Sequence, residues 1–237
     1  MRTHVFIDGF NLYHRVVKPT QTRWLDVRVL CQRLLQAHHQ IEKIHYFTAM
    51  VSNTRSDPAK ATRQDIYIKA LEEHIPELTT YFGEFQRHVV RSPLASSKTS
   101  HHPEGTKVRP NYRYTLPSKL VGVVKEVFDK HEFWPMVDVI KTEEKGSDVN
   151  LAIQLLDRAW KDEFDCAVIL SNDADLAGAI DLVRSLGKTV GVLTAQKVPT
   201  YELSSRANFH RRIKSRHARN SELPPVLPSG LRKPDQW

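Results

Sequence analysis

Short apolar runs alternate along the chain with stretches of helical periodicity, and this alternation constrains the fold more than any other feature. The predicted strands are HVFIDG, IEKIHYFTAMV, LTTYFGEFQRH, WPMVDVI, CAVILS and TVGVLT. The predicted helices between them are LDVRVLCQRLLQAHH, DPAKATRQDIYIKALEEH, DVNLAIQLLDRAW and DLAGAIDLVRSLGK, with Asp57 as an N-cap and Gly187 at a C-terminus. Such alternation predicts an α/β fold in which helices cover both faces of a mainly parallel central sheet, a three-layer α/β/α arrangement.

The periodicity fails in two basic segments. Residues 86–119 are rich in Ser, Pro, Thr and His, and from Arg87 to Lys119 they carry seven Lys or Arg residues against the single acid Glu104. We interpret this segment as an inserted loop or flap within a domain of residues 1–195. Residues 196–237 are predicted to form a basic C-terminal extension with a flexible Pro-rich end. Between Arg206 and Arg219 the extension carries six basic residues and no acid.

The composition narrows the class of protein. A chain of 237 residues with 40% hydrophobic residues buries a core of ordinary size, and its formal charge of +8 favours a polyanionic partner. The two cysteines, Cys31 and Cys166, lie in apolar runs and are interpreted as reduced core residues. No signal peptide or membrane-spanning run is recognised, so we expect a cytoplasmic protein with no membrane partner.

Carboxylates recur where predicted strands end. Asp8 closes the first strand, Asp173 and Asp175 follow CAVILS, and Asp148 begins the helix after WPMVDVI. One capping residue is sufficient for a helix N-terminus, so the second acid of SNDADL needs another explanation. Ligands of open parallel sheets bind beyond the carboxyl ends of the strands, at the point where the strand order reverses. All four acids are therefore predicted to face one crevice.

Such a cluster requires compensation. Two carboxylates about 4 Å apart repel by roughly 4 kcal/mol at an effective dielectric constant of about 20. Several such pairs exceed what a fold of roughly 5 to 15 kcal/mol net stability tolerates, unless protons or a cation offset them. Oxygen ligands without His or Cys favour Mg²⁺ or Mn²⁺. The sequence therefore predicts a divalent metal site.

Three blocks of the sequence also resemble a known family. FIDGFNLYH, EEKGSDVNLA and FDCAVILSNDADLAGAIDLVRSLGKTVGVL are similar to the motifs of the NYN family, in the LabA-like or DUF88 group of PIN-like nucleases. The resemblance implies a PIN-like fold and metal-dependent ribonuclease activity. It implies Asp8, Asp148 and Asp173 as the main metal ligands, Asp175 as a further acid, and Asn11 as the polar residue of the first motif. Gln154 stands where many relatives carry another Asp.

Alternative structural roles exist for most of these residues. Asn11 is as readily a helix cap as a residue that orients a ligand, and Asp175 is as readily a capping acid as a metal ligand. Lys145 either holds a phosphate or balances Glu143 and Glu144. The predicted nucleic-acid-binding residues are Lys145, Arg109, Arg113, Arg211 and Arg212.

Three functions are compatible with the sequence. The leading hypothesis is a ribonuclease that uses a metal-activated water to hydrolyse single-stranded or looped RNA. The second is a non-catalytic RNA-binding or adaptor module on the same fold, which Gln154 favours. The third is an oxidoreductase or hydroxylase of a small heterocycle, although no G-x-G-x-x-G follows any strand. A homodimer is compatible with each of them.

Overall fold

A computed structural model describes residues 1–93, 136–197 and 200–236. Within them the chain forms a mostly parallel sheet flanked by helices, which confirms the predicted α/β class. The seven strands of the sheet are β1 (Arg2–Asp8), β2 (Gln40–Ala49), β3 (Leu78–Pro93), β4 (Met136–Lys145), β5 (Cys166–Leu170), β6 (Thr189–Thr194) and β7 (Phe209–Arg212).

The helices of the described residues connect these strands. They are α1 (Gly9–Leu12), a π-helix (Tyr13–Val17), α2 (Lys18–Thr20), α3 (Val27–Leu34), α4 (Lys60–His74), α5 (Ser147–Trp160), a 3₁₀ turn (Ala174–Leu176), α6 (Ala177–Ser185), α7 (Tyr201–Ser204) and α8 (Ser215–Arg219). Gly187 follows α6 with φ +78°, a backbone conformation that favours glycine after a helix, as predicted.

The strand order is β4-β3-β2-β1-β5-β6-β7. The chain moves from β1 outward in one direction through β4 and then returns to add β5, β6 and β7 on the other side of β1. The order therefore reverses between β1 and β5, which pair in parallel with Ile7 opposite Leu170. The predicted crevice for a ligand lies beyond the carboxyl ends of these two strands.

Each face of the sheet packs against its own apolar layer. Side chains of a strand alternate between the faces, so β1 sends Val5 and Ile7 into one core and Phe6 into the other. The first core includes residues of α3 and α4, and the second includes residues of α5 and α6. Two helical layers around one sheet give the predicted three-layer arrangement.

The structure differs from the predicted boundaries at two places early in the chain. Helix α4 begins at Lys60, and its N-cap is Ala59 rather than Asp57. The Asp57 carboxylate instead accepts a hydrogen bond from Arg63 Nη2 at 2.5 Å. Strand β3 continues to Pro93, so residues 86–93 are strand where a loop was expected. The rest of the predicted loop, with Arg109 and Arg113, lies outside the described residues.

The described parts of residues 86–143, which are 86–93 and 136–143, belong to one compact unit. In its described part, His88 Nε2 of β3 lies 3.8 Å from Glu143 Oε2 of β4. Glu143 also pairs with Lys141.

The segment predicted as a C-terminal extension contributes to the same sheet and core as residues 1–85. Strand β7 pairs in parallel with β6, so TVGVLT is not the last strand. In the Pro-rich end, Leu223 and Leu227 are each 3% exposed, and the Pro224 carbonyl accepts a hydrogen bond from Trp24 Nε1 at 2.8 Å. Burial of these leucines offsets the conformational entropy that is lost when the segment is ordered. The Pro-rich composition had instead predicted a flexible segment.

Candidate acidic site

Asp8 is the most buried carboxylate of the predicted cluster, with 6% of its surface exposed. It ends β1 and caps α1, because its Oδ1 accepts a hydrogen bond from the backbone N–H of Asn11 at 2.9 Å. Its Oδ2 accepts a hydrogen bond from Ser171 Oγ, also at 2.9 Å. Two hydrogen bonds thus hold the carboxylate in one orientation at the end of β1.

The SNDADL segment directly follows the neighbouring strand β5. Ser171, which is 1% exposed, donates to Asp8 and accepts a hydrogen bond from the backbone N–H of Asp173 at 3.2 Å. Asp173 caps the 3₁₀ turn, since its Oδ1 accepts from the backbone N–H of Asp175 at 3.1 Å. The buried Ser171 hydroxyl therefore links the ends of β1 and β5.

Glu144 and Asp148 lie where a third strand, β4, ends and the next helix begins. Glu144 lies near the end of β4, and its Oε1 accepts a hydrogen bond from the backbone N–H of Ser147 at 3.0 Å. Asp148 lies in the first turn of α5, which packs on β1 and β2. The chain turns between strand and helix at Gly146, with φ +96°.

The pKa values show that these acids share one electrostatic environment. Burial raises the pKa of Asp8, the hydrogen bonds from Asn11 and Ser171 lower it, and the charges of Asp173 and Glu144 raise it further. The pKa of Asp148 rises to about 7, first because of burial and then because of the charges of Asp8, Asp173 and Glu144 and a hydrogen bond with Asp173. The structure thus brings together three of the four predicted acids, with Glu144 as a further member.

The fourth predicted acid, Asp175, is joined to this group through its backbone, since its N–H donates a hydrogen bond to Asp173 Oδ1 at 3.1 Å. Its side chain is exposed, and its charge is not among those that raise the pKa of Asp8 or Asp148. Asn11 is not the cap of the helix that contains it, because Asp8 has that role. Instead Asn11 lies within α1 and positions Asp8 through its backbone N–H.

The donor set fits a hard divalent cation in its chemistry. The charges of neighbouring carboxylates raise the pKa values of Asp8 and Asp148, and a bound cation would offset that repulsion. The Ser147 hydroxyl beside them is buried and has no hydrogen-bond partner among the described residues. In the side-chain positions of this structure, however, no group of three or more His, Cys, Asp or Glu side chains of the described residues is arranged to hold a metal ion. Metal binding at these positions stays a prediction.

Replacing Asp148 with Asn is expected to stabilise the protein in EDTA at pH 8. In the folded protein Asp148 stays protonated up to about pH 7, whereas in the unfolded chain it ionises near pH 4. The free-energy cost of ionising Asp148 in the folded protein therefore grows between about pH 4 and pH 7 and is complete above pH 7. Because Asp148 is only half-buried, solvent screening reduces the effect to about 1 to 2 kcal/mol. This exceeds the roughly 0.3 to 1 kcal/mol that a carboxylate contributes at a helix N-terminus.

Thermal unfolding of the parent and Asp148→Asn proteins at pH 8 and pH 5 measures this effect. We expect the variant to melt several degrees higher at pH 8 and the difference to shrink at pH 5. A variant that is destabilised equally at both pH values would show that Asp148 does not experience the repulsion.

The predicted nucleic-acid-binding residues of the described segments are dispersed. Lys145 ends β4 and is exposed. Arg212 is exposed at the end of β7, whereas the Arg211 guanidinium lies over the Phe209 ring, 5.4 Å from its centroid. Arg206 of the same basic segment donates a hydrogen bond to Asp181 at 2.8 Å and is thereby neutralised. The predicted strip therefore does not act as one continuous surface.

Sequence reasoning missed Glu144 and Gly83 as parts of the site. A Cβ on Gly83 would lie 2.5 Å from Glu144 Oε1, 2.6 Å from the Lys145 carbonyl oxygen and 2.9 Å from Ser147 Oγ. Only glycine at this position in β3 leaves room for the turn that connects β4 to α5. Gly83 inside a strand pattern was the available signal, because such a glycine marks a close approach of another backbone.

Comparison with known proteins gives three results. The model of the NYN domain matches residues 112–213, which include Asp148, Asp173 and Asp175 but not Asp8. Over its whole length the chain is 25% identical to the 6-hydroxy-3-succinoylpyridine 3-monooxygenase HspA of Pseudomonas putida, and the match covers 75% of that protein. A protein of unknown function from Vibrio parahaemolyticus, VPA0982, is 12% identical with a TM-score of 0.47, over 90% of this chain and 93% of that chain.

The described residues contain no helix that is long and apolar enough to span a membrane. The NYN-domain match covers residues 112–213, less than half of the 237-residue chain, so this segment is similar to NYN domains.

Proposed function

We propose that this protein is a metal-dependent ribonuclease of the LabA-like or DUF88 group of PIN-like nucleases. The observation that carries the proposal is the convergence of Asp8, Asp148 and Asp173 beside the point where the strand order reverses. The charges of Asp8 and Asp173 both raise the pKa of Asp148. Carboxylates so arranged favour a divalent cation and, with it, phosphodiester chemistry.

Asp8, Asp148 and Asp173 would hold Mg²⁺ or Mn²⁺, with Asp175 as an outer acid. When bound, such a cation lowers the pKa of a water molecule and stabilises negative charge that develops on a phosphate. Ser171 and the Asn11 N–H orient Asp8, and Ser147 positions Glu144 through its backbone N–H. In the metal-free protein Asp148 takes up a proton near neutral pH, because its pKa is about 7.

The substrate that we propose is RNA, single-stranded or looped, and the bond that breaks is the one to the ribose 3′ oxygen. The protein's overall charge of +8 and the NYN match support an anionic polymer as the partner. This direction of cleavage leaves a 5′-phosphate on one product. We further propose a cytoplasmic location, because both cysteines are free and buried.

Incubation of the purified protein with single-stranded RNA in Mn²⁺, in Mg²⁺ and in EDTA tests the proposal. We expect cleavage only with a divalent cation, and products that accept ligation at a 5′-phosphate. RNA that is bound but left intact in every divalent metal would contradict the ribonuclease and support the non-catalytic RNA-binding module.

A second candidate, a hydroxylase of a small heterocycle, is favoured by one observation, the name of the Pseudomonas putida relative. Hydroxylation by O₂ consumes two electrons from a reductant and releases the second oxygen atom as water. The sequence holds no G-x-G-x-x-G that would cradle a dinucleotide. Oxidation of NADH or of a reduced flavin that depends on a hydroxypyridine would support this candidate, whereas its absence together with RNA cleavage would exclude it.

A further inference from the structure

A positively charged groove lies at the carboxyl ends of β6 and β7. Its volume is about 350 Å³, and the helical segment after β1 forms its other side. The charged and hydroxyl groups that line it belong to Arg15, Thr20, Arg212, Lys214 and Ser215. Val16 and Ile213 are buried and supply apolar surface between them.

The cations of the groove are not neutralised by carboxylates of the described segments. Arg15, Arg212 and Lys214 are exposed, and none makes an ion pair with a carboxylate of residues 1–93, 136–197 or 200–236. No carboxylate of these described residues lines the groove. Elsewhere on the described surface, Arg206 pairs with Asp181 and Lys188 pairs with Asp162. Three cations around one depression, with no carboxylate partner among the described residues, attract a polyanion.

The groove lies on the same edge of the sheet as the acidic site. Arg15 follows Asp8 by seven residues in one run of helical segments, which at 1.5 Å per residue places it roughly 10 Å away along the helix. Strand β7 is three strands from β1, or about 14 Å at 4.8 Å per strand. Arg15 also lies within the π-helix Tyr13–Val17, a type of turn that is frequent at functional sites.

We propose that the groove formed by Arg15, Arg212 and Lys214 binds the phosphate backbone of the RNA strand that enters the acidic site. The inference rests on the proposed ribonuclease function. It assigns to that function a substrate track, the groove along which the RNA backbone binds. Guanidinium and ammonium groups are the usual partners of backbone phosphates, and such contacts set position without reading sequence. The groove therefore binds RNA independently of its sequence and guides a short stretch of nucleotides towards the acids.

Arg211 has no part in this track. It lines a different cavity, of about 160 Å³, together with His38, His39 and Phe209. Because Arg211 is adjacent to Arg212 in a strand, the two side chains leave the backbone in opposite directions. The sequence alone placed both in one strip.

Binding of a fluorescent single-stranded oligoribonucleotide in EDTA, measured by anisotropy at several salt concentrations, tests the inference. The test variant is Arg212→Glu with Lys214→Glu. The control is Arg55→Glu with Arg232→Glu, which changes two cations distant in sequence from the residues of the groove and alters the net charge equally. Circular dichroism and thermal unfolding verify that both variants fold.

We expect the groove variant to bind at least about tenfold more weakly than the parent, and the slope of log K against log salt to fall by about 1.4 for two lost phosphate contacts. The control is expected to bind within about twofold of the parent. Equal binding by parent and groove variant, or an equal loss in the control, would overturn the inference. So would full displacement of the RNA by millimolar inorganic phosphate, which would identify a site for a free anion.

Cleavage by the parent in Mn²⁺ is measured separately on the same RNA. A parent that binds RNA through the groove but does not cleave it contradicts the ribonuclease and leaves the groove assignment intact. A parent that cleaves but is insensitive to the groove substitutions contradicts only the groove assignment.

Discussion

Replacing Asp173 with Asn is expected to lower the rate of RNA cleavage at least about a hundredfold while leaving the fold intact. A loss of this size corresponds to roughly 2.7 kcal/mol of transition-state stabilisation, which is within the several kcal/mol that a metal-centred site supplies. Asn retains an Oδ1 that accepts the hydrogen bond from the Asp175 N–H, so the cap of the 3₁₀ turn is preserved. The substitution removes the negative charge and replaces one carboxylate oxygen with an NH2 group that cannot bind a cation.

Single-turnover cleavage in saturating Mn²⁺ measures the effect. Asp181→Asn is the matched control, because it makes the same chemical change on the next helix, where the carboxylate pairs with Arg206 on the exposed surface. The control is expected to cleave as fast as the parent. If Asp173→Asn also cleaves at the parental rate, Asp173 has no part in the chemistry.

Replacing Gly83 with Ala is expected to impair both stability and cleavage. The added Cβ would lie 2.6 Å from the carbonyl oxygen of Lys145, and because that atom is backbone the turn into α5 must shift. Overpacking of this kind costs typically about 1 to 3 kcal/mol. The shift also displaces Glu144 and Asp148, so cleavage should fall about tenfold or more, since misplacing catalytic groups by about 1 Å is costly.

Urea unfolding and a cleavage assay on the same preparations provide the measurement. Gly178→Ala is the control, because nothing lies within 4 Å of a Cβ at this exposed position of α6. It is expected to raise the free energy of unfolding by up to about 1 kcal/mol through helix propensity, with cleavage unchanged. A Gly83→Ala variant that matches the parent in both assays would show that the close approach at Gly83 does not position the acids.

The layered fold and the position of the acids follow from local signals in the sequence. The runs VFI of β1 and CAVIL of β5 are apolar at every position because both strands are buried on two faces, and this pattern identified them as strands. The acids that end or follow these strands then had to lie at the carboxyl edge. Asp8 and Asp173 were found in this way.

The residues that sequence reasoning misplaced depend on contacts distant in the chain. Glu144 was considered only as a charge that Lys145 balances, because the predicted strand ended at Ile140 whereas β4 continues to Lys145. The Pro-rich end was predicted to be flexible, although Trp24 and the core hold it. Strand β7 is four residues long and its pattern is polar, so nothing local separated Arg211 from Arg212.

Mn²⁺ binding to the purified protein, followed by electron paramagnetic resonance of the free ion, tests the central claim most directly. Parent, Asp148→Asn, Asp173→Asn and the control Asp181→Asn are titrated under identical conditions without RNA. If the acids of separate strand ends form one cation site, the parent and the control bind Mn²⁺ alike and each site variant binds it at least about tenfold more weakly. Equal Mn²⁺ affinity in all four proteins would contradict the account.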